Sequence, residues 1–357
     1  MSNPFLDSLY VFIMAGGSGE RFWPMSRTQT PKHLLRLLSD RTLLEETVRR
    51  VEGAVPLERI FILTNKAQAD GCCDALPFLP ASQIICEPAK RDTAPAAALA
   101  TGFARALDPN AICVLLPADS TIHEVETFRR QLTDAAAVAA DTDALVTVSI
   151  RPTYPSTGFG YLELGKSLGT APNGSGVVEV ARFVEKPDGD TAEEYVKSGR
   201  YGWNAGMFAW RSEVFLRECR KNVPALADFI ESFPATGVAD YLEEHFATLP
   251  KISVDYAIME KAEKVAAVLA EFDWDDVGTW TALPAHLGRD AKDNTLRGPN
   301  AVLDSHNNIV IANSRTVALC GVSDLVVVET TDAVLVCHRA AVQRIKNLQP
   351  LLPEEQR

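Results

Sequence analysis

Short apolar runs alternate with amphipathic stretches over the first 150 residues of the chain. Several runs are apolar at every position, which is typical of strands that are buried on both faces. The predicted strands are 9–14, 59–63, 83–86, 112–116 and 144–150, and the predicted helices are 42–51, 94–107 and 125–140. This alternation predicts a parallel sheet with helices on both sides. Ligands of such sheets bind beyond the carboxyl ends of the strands, so the loops after Met14, Cys86 and Leu116 are candidate binding loops.

The pattern loosens after residue 150. Strands are predicted from Gly158, over 177–185 and over 203–210, with helical stretches between them, and we expect them to form the opposite wall of a cleft. A linker at 288–300 precedes short strands at 308–311, 316–319, 325–329 and 333–337. Their regular spacing indicates a small β unit, either a few solenoid-like coils or a small sandwich, with a role in packing or assembly. We therefore expect two domains, 1–290 and 291–357.

Composition narrows the classes of function. The chain of 357 residues has 35 Lys and Arg against 47 Asp and Glu, a formal charge of −12, which disfavours binding to nucleic acid or to an anionic membrane. Its seven cysteines contain no CxxC pair, which favours reduced thiols, mostly buried, in a cytoplasmic protein. The N-terminus lacks a basic segment before its apolar run, so export is not expected.

The loop after the first strand departs from this acidic background. Three glycines within four residues (Gly16, Gly17 and Gly19) allow backbone N–H groups to approach an anion closely. The segment 16–36 carries a net charge of +3, which predicts an anionic substrate; its charged residues are Glu20, Arg21, Arg27, Lys32 and Arg36. No Lys follows Gly19 as in a P-loop. Phe22 replaces the third glycine of a dinucleotide-binding fingerprint, which disfavours an oxidoreductase.

Taken together, these residues resemble the sugar-nucleotidylyltransferase family, whose signature is Gly-Gly-x-Gly-x-Arg followed by Pro and then Pro-Lys. The continuation Phe-Trp-Pro-Met-Ser-Arg at 22–27 is similar to the guanylyltransferase branch. Further segments match that branch in order: 87–96, 116–119, 158–161, 184–187, 203–208, 253–256 and 274–280. The resemblance implies an α/β fold with a Rossmann-like, mixed but mostly parallel sheet. It also implies a small C-terminal β domain that is similar to a left-handed β-helix.

The reaction implied by the resemblance transfers GMP from GTP to α-D-mannose 1-phosphate, giving GDP-mannose and pyrophosphate. The sugar phosphate would attack the α-phosphorus in line, assisted by Mg²⁺ and without a covalent enzyme intermediate. Two alternatives stay open: another nucleotide or sugar 1-phosphate, such as heptose or glucose, and a non-catalytic paralogue that binds nucleotide sugar. Longer family members add a phosphomannose isomerase domain, which we do not expect in a chain ending at Arg357. We expect a homodimer.

Four residues receive catalytic roles by the resemblance. Arg21 would hold the departing β- and γ-phosphates, and Lys32 would lie near the α-phosphate and the sugar phosphate. Asp119, at the end of a buried strand, and Asp276 would hold the Mg²⁺. Alternation along a strand would place Asp273 and Asp275 on the opposite side from Asp276.

The remaining predicted site residues bind the two substrates. The resemblance implies that the nucleotide contacts Ala15, Gly16, Gly17, Ser18, Gly19, Glu87, Arg91, Asp92, Thr93 and Ala94. It implies that the sugar phosphate contacts Gly160, Glu185, Lys186 and Asn204. Glu87 could accept hydrogen bonds from guanine or pair with Arg91, and Glu185 with Lys186 could instead be a surface salt bridge. Asn204 lies in an apolar strand and needs a ligand or an internal partner.

Several neighbouring residues have structural interpretations. Arg27 and Arg36 could bind phosphate or be surface charges. A lone His is most often structural, which applies to His33 and His123. Ser120 replaces a His that many family members have there. We expect core packing for the aromatic residues Tyr256, Trp274 and Trp280.

Overall fold

A large mixed sheet forms the centre of the protein. The computed structural model describes residues 4–17 and 19–356. The nine strands are β1 (Leu9–Met14), β2 (Ile60–Asn65), β3 (Ile84–Glu87), β4 (Ile112–Pro117), β5 (Leu145–Ile150), β6 (Gly160–Thr170), β7 (Gly176–Glu185), β8 (Tyr201–Arg211) and β9 (Val265–Leu269). Their order is β3-β2-β1-β4-β8-β5-β9-β7-β6. β1 to β4 are parallel, whereas β7 and β8 run antiparallel to their neighbours. The predicted α/β class with a mixed sheet is confirmed.

Helices cover both faces of this sheet. The α-helices of the described residues are α1 (Leu43–Val51), α2 (Ala69–Ala75), α3 (Thr93–Leu107), α4 (Val125–Asp141), α5 (Gly189–Ser198), α6 (Ser212–Asn222), α7 (Pro224–Glu231), α8 (Val238–His245) and α9 (Leu283–Leu287). The last of these, α9, packs with the C-terminal strands instead. Successive residues of β1 alternate between the two faces. Val11 and Ile13 share one apolar cluster with Val48 of α1, while Phe12 packs with Leu99 of α3 on the other face. This explains why β1 is apolar at every position.

The C-terminal strands form a coil-like β unit. They are β10 (Thr295–Arg297), β11 (Asn300–Leu303), β12 (Ile309–Ala312), β13 (Val317–Cys320), β14 (Leu325–Glu329) and β15 (Val334–His338). β10, β12 and β14 pair in parallel, as do β11 and β13. Ile309 lies opposite Val326 and Asn300 opposite Val317, so the two pairs share a seventeen-residue repeat. Such a repeat is typical of stacked coils, so the solenoid alternative is correct and the sandwich is wrong.

A buried carboxylate closes one turn of this β unit. Glu329 is 2% exposed and accepts hydrogen bonds from the backbone N–H groups of Asn313, Ser314 and Arg315, at 2.9–3.1 Å. The bonds from Ser314, together with those from its neighbours, lower the pKa of Glu329 to about 2. The carboxylate therefore satisfies backbone donors that would otherwise be buried without partners.

The structure differs from the sequence predictions in a few places. β9 and β11 are additional strands, and β10 lies within the predicted linker. All seven cysteines are unpaired, but only Cys72, Cys113 and Cys219 are buried, so the expectation of mostly buried thiols is wrong. Tyr256 is 46% exposed and is not part of the core. In the described part of the chain, no helix has the length and apolar character needed to cross a membrane.

Candidate active site

The glycine loop after β1 has a conformation that requires one of its glycines. Gly19 has φ +61°, in the left-handed region, and leads into a short 3₁₀ turn, Glu20–Phe22. A Cβ at Gly19 would overlap the Cβ of Lys32 and lie 2.7 Å from its backbone nitrogen. A Cβ at Gly16 or Gly17 would meet nothing within 4 Å, so space for a ligand exists there. Ser18, which the sequence assigned to the nucleotide, lies outside the described residues.

The four predicted catalytic residues line one cavity of about 420 Å³. Arg21 and Lys32 come from the loop after β1, Asp119 from the loop after β4, and Asp276 from the segment after β9. Lys346, from the C-terminal β unit, also lines this cavity and was not predicted from the sequence. No motif surrounds Lys346, so only the tertiary structure could reveal it.

Lys32 joins the two aspartate-bearing loops. Its Nζ lies 2.8 Å from Oδ2 of Asp119 and donates to the backbone carbonyl of Asp276. Burial opposes ionisation of Asp119, but the charge of Lys32 and its hydrogen bond bring the pKa of that carboxyl below its usual value. Burial raises the pKa of Asp276 to about 6, although Lys32 acts in the opposite direction. Lys32 therefore places its positive charge beside the carboxylates of Asp119 and Asp276.

Backbone contacts hold the loop of Asp119 in place. Thr121 and Asp275 exchange two backbone hydrogen bonds of 2.8 and 3.1 Å, which join this loop to the segment of Asp276. The buried guanidinium of Arg50 donates to the carbonyl of Ser120 at 3.0 Å. The main chain at Ser120 therefore has a structural role, whatever its side chain does.

The three aspartates of segment 273–276 have different surroundings. Asp273 accepts from the backbone N–H groups of His123 and Glu124, and Asp275 accepts from that of Val277 at 2.7 Å. Among the described residues, none donates a hydrogen bond to the carboxylate of Asp276. The segment is irregular and is not a strand, so the alternation argument was wrong. Asp276 differs from Asp273 and Asp275 because the local turns use the other two carboxylates.

The contacts of two arginines and two histidines near the cavity distinguish between a ligand-binding and a structural role. Arg27 forms an ion pair with Asp332 at 3.1 Å, and Arg36 is exposed, its carbonyl accepting from Arg297 at 3.0 Å. His33 is buried, and burial lowers its pKa to about 4. His123 Nδ1 lies 2.6 Å from Asp273. These contacts favour the structural interpretation for Arg27 and for both histidines.

The predicted sugar-binding residues lie side by side on β6, β7 and β8. A Cβ at Gly160 would lie 2.6 Å from Oε2 of Glu185 and 3.6 Å from the Cβ of Asn204. Glu185 also forms an ion pair with Lys186, the alternative that the sequence left open. The Asn204 amide donates to Asp255 at 2.7 Å, which is its internal partner. Asp255 lies in the matched segment 253–256, but no role was predicted for it.

Aromatic residues connect this sugar-side group with the segment of Asp276. Trp203, next to Asn204, lies 6.4 Å from Trp274 between ring centroids, and Phe159 lies 5.3 Å from Trp274. Burial raises the pKa of Asp255 to about 6, although its hydrogen bond from Asn204 acts in the opposite direction. The amide of Asn204, a short polar group of the kind that binds sugar hydroxyls, therefore lies beside the segment of Asp276.

In the segment after β3, some side chains have protein partners, whereas Glu87 lacks a cationic one among the described residues. Glu87 forms no salt bridge with Arg91 among the described residues; Arg91 instead donates to the carbonyl of Ala247. Burial raises the pKa of Glu87 to about 8. Asp92 caps α3 by accepting from Thr93, and it has φ +70°.

Thr93 and Ala94, at the start of α3, also have protein partners. The Thr93 hydroxyl accepts from Val254 at 2.9 Å, and the Ala94 N–H donates to Ile252 at 3.1 Å. The Ala94 N–H is therefore not available to a nucleotide, whereas the carboxyl of Glu87 lacks a cationic partner in the described part of the chain.

Fold and site together define a nucleotidyl transferase. Residues 10–291 match the family Nucleotidyl transferase, and residues 298–349 match the MannoseP isomerase/GMP-like beta-helix domain. Enzymes of this family act on a nucleoside triphosphate and a sugar phosphate, and they generally use a divalent metal ion.

Comparison with individual proteins narrows the class. The chain is 38% identical to the mannose-1-phosphate guanylyltransferase of Escherichia coli K12, over 96% of this chain and 73% of that protein. It is equally similar, with the same coverage, to the xanthan biosynthesis protein XanB of Xanthomonas campestris pv. campestris. A crystal structure from Thermus thermophilus, described as mannose-1-phosphate geranyltransferase, superposes with a TM-score of 0.87 at 36% identity, covering 96% of this chain and 99% of that one. The chain belongs to the mannose-1-phosphate guanylyltransferases within the nucleotidyl transferase family.

Proposed function

We propose that this enzyme transfers GMP from GTP to α-D-mannose 1-phosphate, giving GDP-mannose and pyrophosphate. The observation that supports this most directly is the cavity in which Arg21 and Lys32 face Asp119 and Asp276 beside the glycine loop. Phosphoryl transfer depends mainly on positioning and on neutralising the charge of the phosphoryl oxygens, and this group of side chains can do both.

Asp119 and Asp276 suit Mg²⁺ as its protein ligands. Both offer hard oxygen donors, and the Asp276 carboxylate accepts no hydrogen bond from the described residues. Those residues also contain no cluster of three or more His, Cys, Asp or Glu that could enclose a metal. In proteins Mg²⁺ is usually bound by one or two carboxylates together with substrate phosphates. When bound, Mg²⁺ would neutralise phosphate oxygens of both substrates.

The side chains of this chain then divide the work along the substrates. Lys32 neutralises the α-phosphate and the attacking phosphate, and Arg21 holds the departing phosphates. Glu87 in its ionised form accepts hydrogen bonds from the guanine N1–H and N2–H₂ groups, so guanine binding favours the carboxylate over the protonated form that burial favours in the free protein. Asn204 and Glu185 bind the hexose hydroxyls and Lys186 the sugar phosphate, next to Gly160, where a side chain would fill the space.

The proposal also includes the domain boundary, the oligomeric state and the location of the protein. We assign residues 1–290 to the catalytic domain and 291–357 to the β unit. Exposed apolar side chains on the β unit support a homodimer; they are Leu303, Val334 and Val336. Seven cysteines without a disulfide support a reducing, cytoplasmic environment.

The test is a matrix of substrates. GTP, ATP, UTP, CTP and dTTP are each paired with mannose, glucose, fucose and heptose 1-phosphates, and pyrophosphate release is measured. GTP with mannose 1-phosphate should give the highest kcat/KM. A higher value for another pair would reassign the substrates, and no release with any pair would favour the non-catalytic alternative. Asp276→Asn should lower kcat by orders of magnitude, with Asp293→Asn, on the exposed linker, as the matched control.

A further inference from the structure

Lys346 brings a positive charge into the cavity from the C-terminal β unit. It lies in a 3₁₀ helical segment, Arg339–Leu351, that follows β15. This segment packs against the short turn Glu20–Phe22, which carries Arg21. The cavity is therefore bounded by the glycine loop on one side and by the β unit on the other.

The position of Lys346 is fixed by buried neighbours. Ile345 and Val342 are 2% and 5% exposed, and both belong to the apolar cluster that contains Phe22 and Trp23. The indole N–H of Trp23 donates to the carbonyl of Gln356 at 2.9 Å, which ties the end of the chain to the same loop. Phe22 and Ile345 belong to one core, and their sequence neighbours Arg21 and Lys346 line the same cavity.

The charges in the cavity leave Arg21 and Lys346 available for a ligand. Lys32 is already bonded to Asp119. Arg21 and Lys346 are exposed, and neither forms a salt bridge within the described ranges. The described lining residues include three acids (Glu20, Asp119 and Asp276) and three cations (Arg21, Lys32 and Lys346). Without Lys346 the acids would outnumber the cations in a cavity that has to accept a triphosphate.

The position of Lys346 in the cavity indicates which phosphate groups of the substrates it can contact. The sugar-side residues Glu185 and Asn204 lie on β7 and β8 and do not line this cavity. Lys346 instead lines the cavity together with Arg21, the residue proposed to hold the departing phosphates. Negative charge develops on the leaving pyrophosphate during the reaction, and a fixed cation there stabilises it.

We propose that Lys346 binds the β- and γ-phosphates of the nucleotide, so that the C-terminal β unit supplies part of the pyrophosphate site. The catalytic role of Lys346 in this inference rests on the proposed nucleotidyl transfer reaction. The binding itself concerns the affinity for pyrophosphate and can be measured without the sugar substrate.

The experiment compares Lys346→Gln with Arg344→Gln, which removes one positive charge from the same 3₁₀ segment outside the cavity. Magnesium pyrophosphate is titrated into each full-length protein by calorimetry, and KM is measured for GTP and for mannose 1-phosphate. Lys346→Gln should weaken pyrophosphate binding and raise KM for GTP by roughly 10- to 100-fold, as expected for the loss of one charge-assisted hydrogen bond. KM for mannose 1-phosphate should change less than about twofold by the same argument.

Matched variants and outcomes separate this inference from the proposed function. Arg344→Gln should resemble the unmodified enzyme, and Lys346→Arg should restore most of the affinity because it keeps the charge. Pyrophosphate binding by Lys346→Gln within about twofold of the unmodified protein would overturn the inference. So would equal weakening by Arg344→Gln. Failure of the unmodified protein to use GTP with mannose 1-phosphate would instead refute the proposed function, while the pyrophosphate titration would still decide the role of Lys346.

Discussion

Replacing Gly19 with Ala should separate the geometry of the phosphate site from the stability of the fold. The new Cβ would overlap the Cβ of Lys32 and lie 2.7 Å from its nitrogen, whereas ordinary contacts begin at 3.4 Å, so Lys32 or the loop must move by at least about 0.7 Å. Lys32 Nζ would then lose its place between Asp119 and the carbonyl of Asp276. Since a displacement of about 1 Å can cost about 100-fold in rate, kcat should fall by that order.

Backbone strain alone must be measured separately. Gly199 at the end of α5 has φ +65°, close to that of Gly19, but a Cβ there meets nothing within 4 Å. Gly199→Ala should therefore cost only the left-handed conformation, about 1–2 kcal/mol, and leave kcat unchanged. Gly19→Ala should add about 1–3 kcal/mol of overpacking. Initial rates of pyrophosphate release and thermal unfolding are recorded for both variants. A kcat for Gly19→Ala within about threefold of the unmodified enzyme would refute the reasoning.

Three further substitutions test one amide, Asn204, and two carboxyl groups, Glu87 and Glu329. Asn204→Ala should raise KM for mannose 1-phosphate about 3- to 10-fold and leave KM for GTP unchanged, and equal changes in both would contradict the assignment. Burial raises the pKa of Glu87 from 4.5 to about 8, so the native state binds the extra proton and Glu87 should make the protein less stable as pH rises through that range. In denaturant unfolding, the free energy of unfolding of Glu87→Gln should not show this decrease with pH. A difference in unfolding free energy between variant and unmodified protein that does not change with pH would contradict the prediction. Glu329 has its pKa lowered to about 2, so its contribution is present above pH 4.5 and is lost as pH falls towards 2. Unfolding of Glu329→Gln should therefore differ most from that of the unmodified protein near neutral pH, and a gap that persists at pH 2 would argue against this.

Local sequence patterns predicted the strands that are long, buried and bounded by turns. β1 and β14 lie where the pattern placed them, because their apolar residues pack on both faces of a sheet. β9 was missed because its sequence, Val-Ala-Ala-Val-Leu, is short and two of its five residues are Ala, which does not distinguish strand from helix. The position of Asp276 could be anticipated from the motif, but the turns that engage Asp273 and Asp275 could not. Lys346 could not be predicted at all, since its place in the cavity depends on packing between segments more than 300 residues apart.

The boundary between domains in the sequence is not a boundary in the packing. The cluster that holds the glycine loop combines Phe22, Trp23 and Trp280 with Ile309 and Val326 of the β unit. Each large apolar side chain that this contact removes from water stabilises the arrangement by about 1.5–3 kcal/mol. Because Phe22 follows Arg21 directly, the same burial that attaches the β unit also sets the position of the cation predicted to hold the departing phosphates. In the folded chain the β unit therefore supports the loop that carries Arg21, and the segment after its last strand contributes Lys346 to the lining of the cavity.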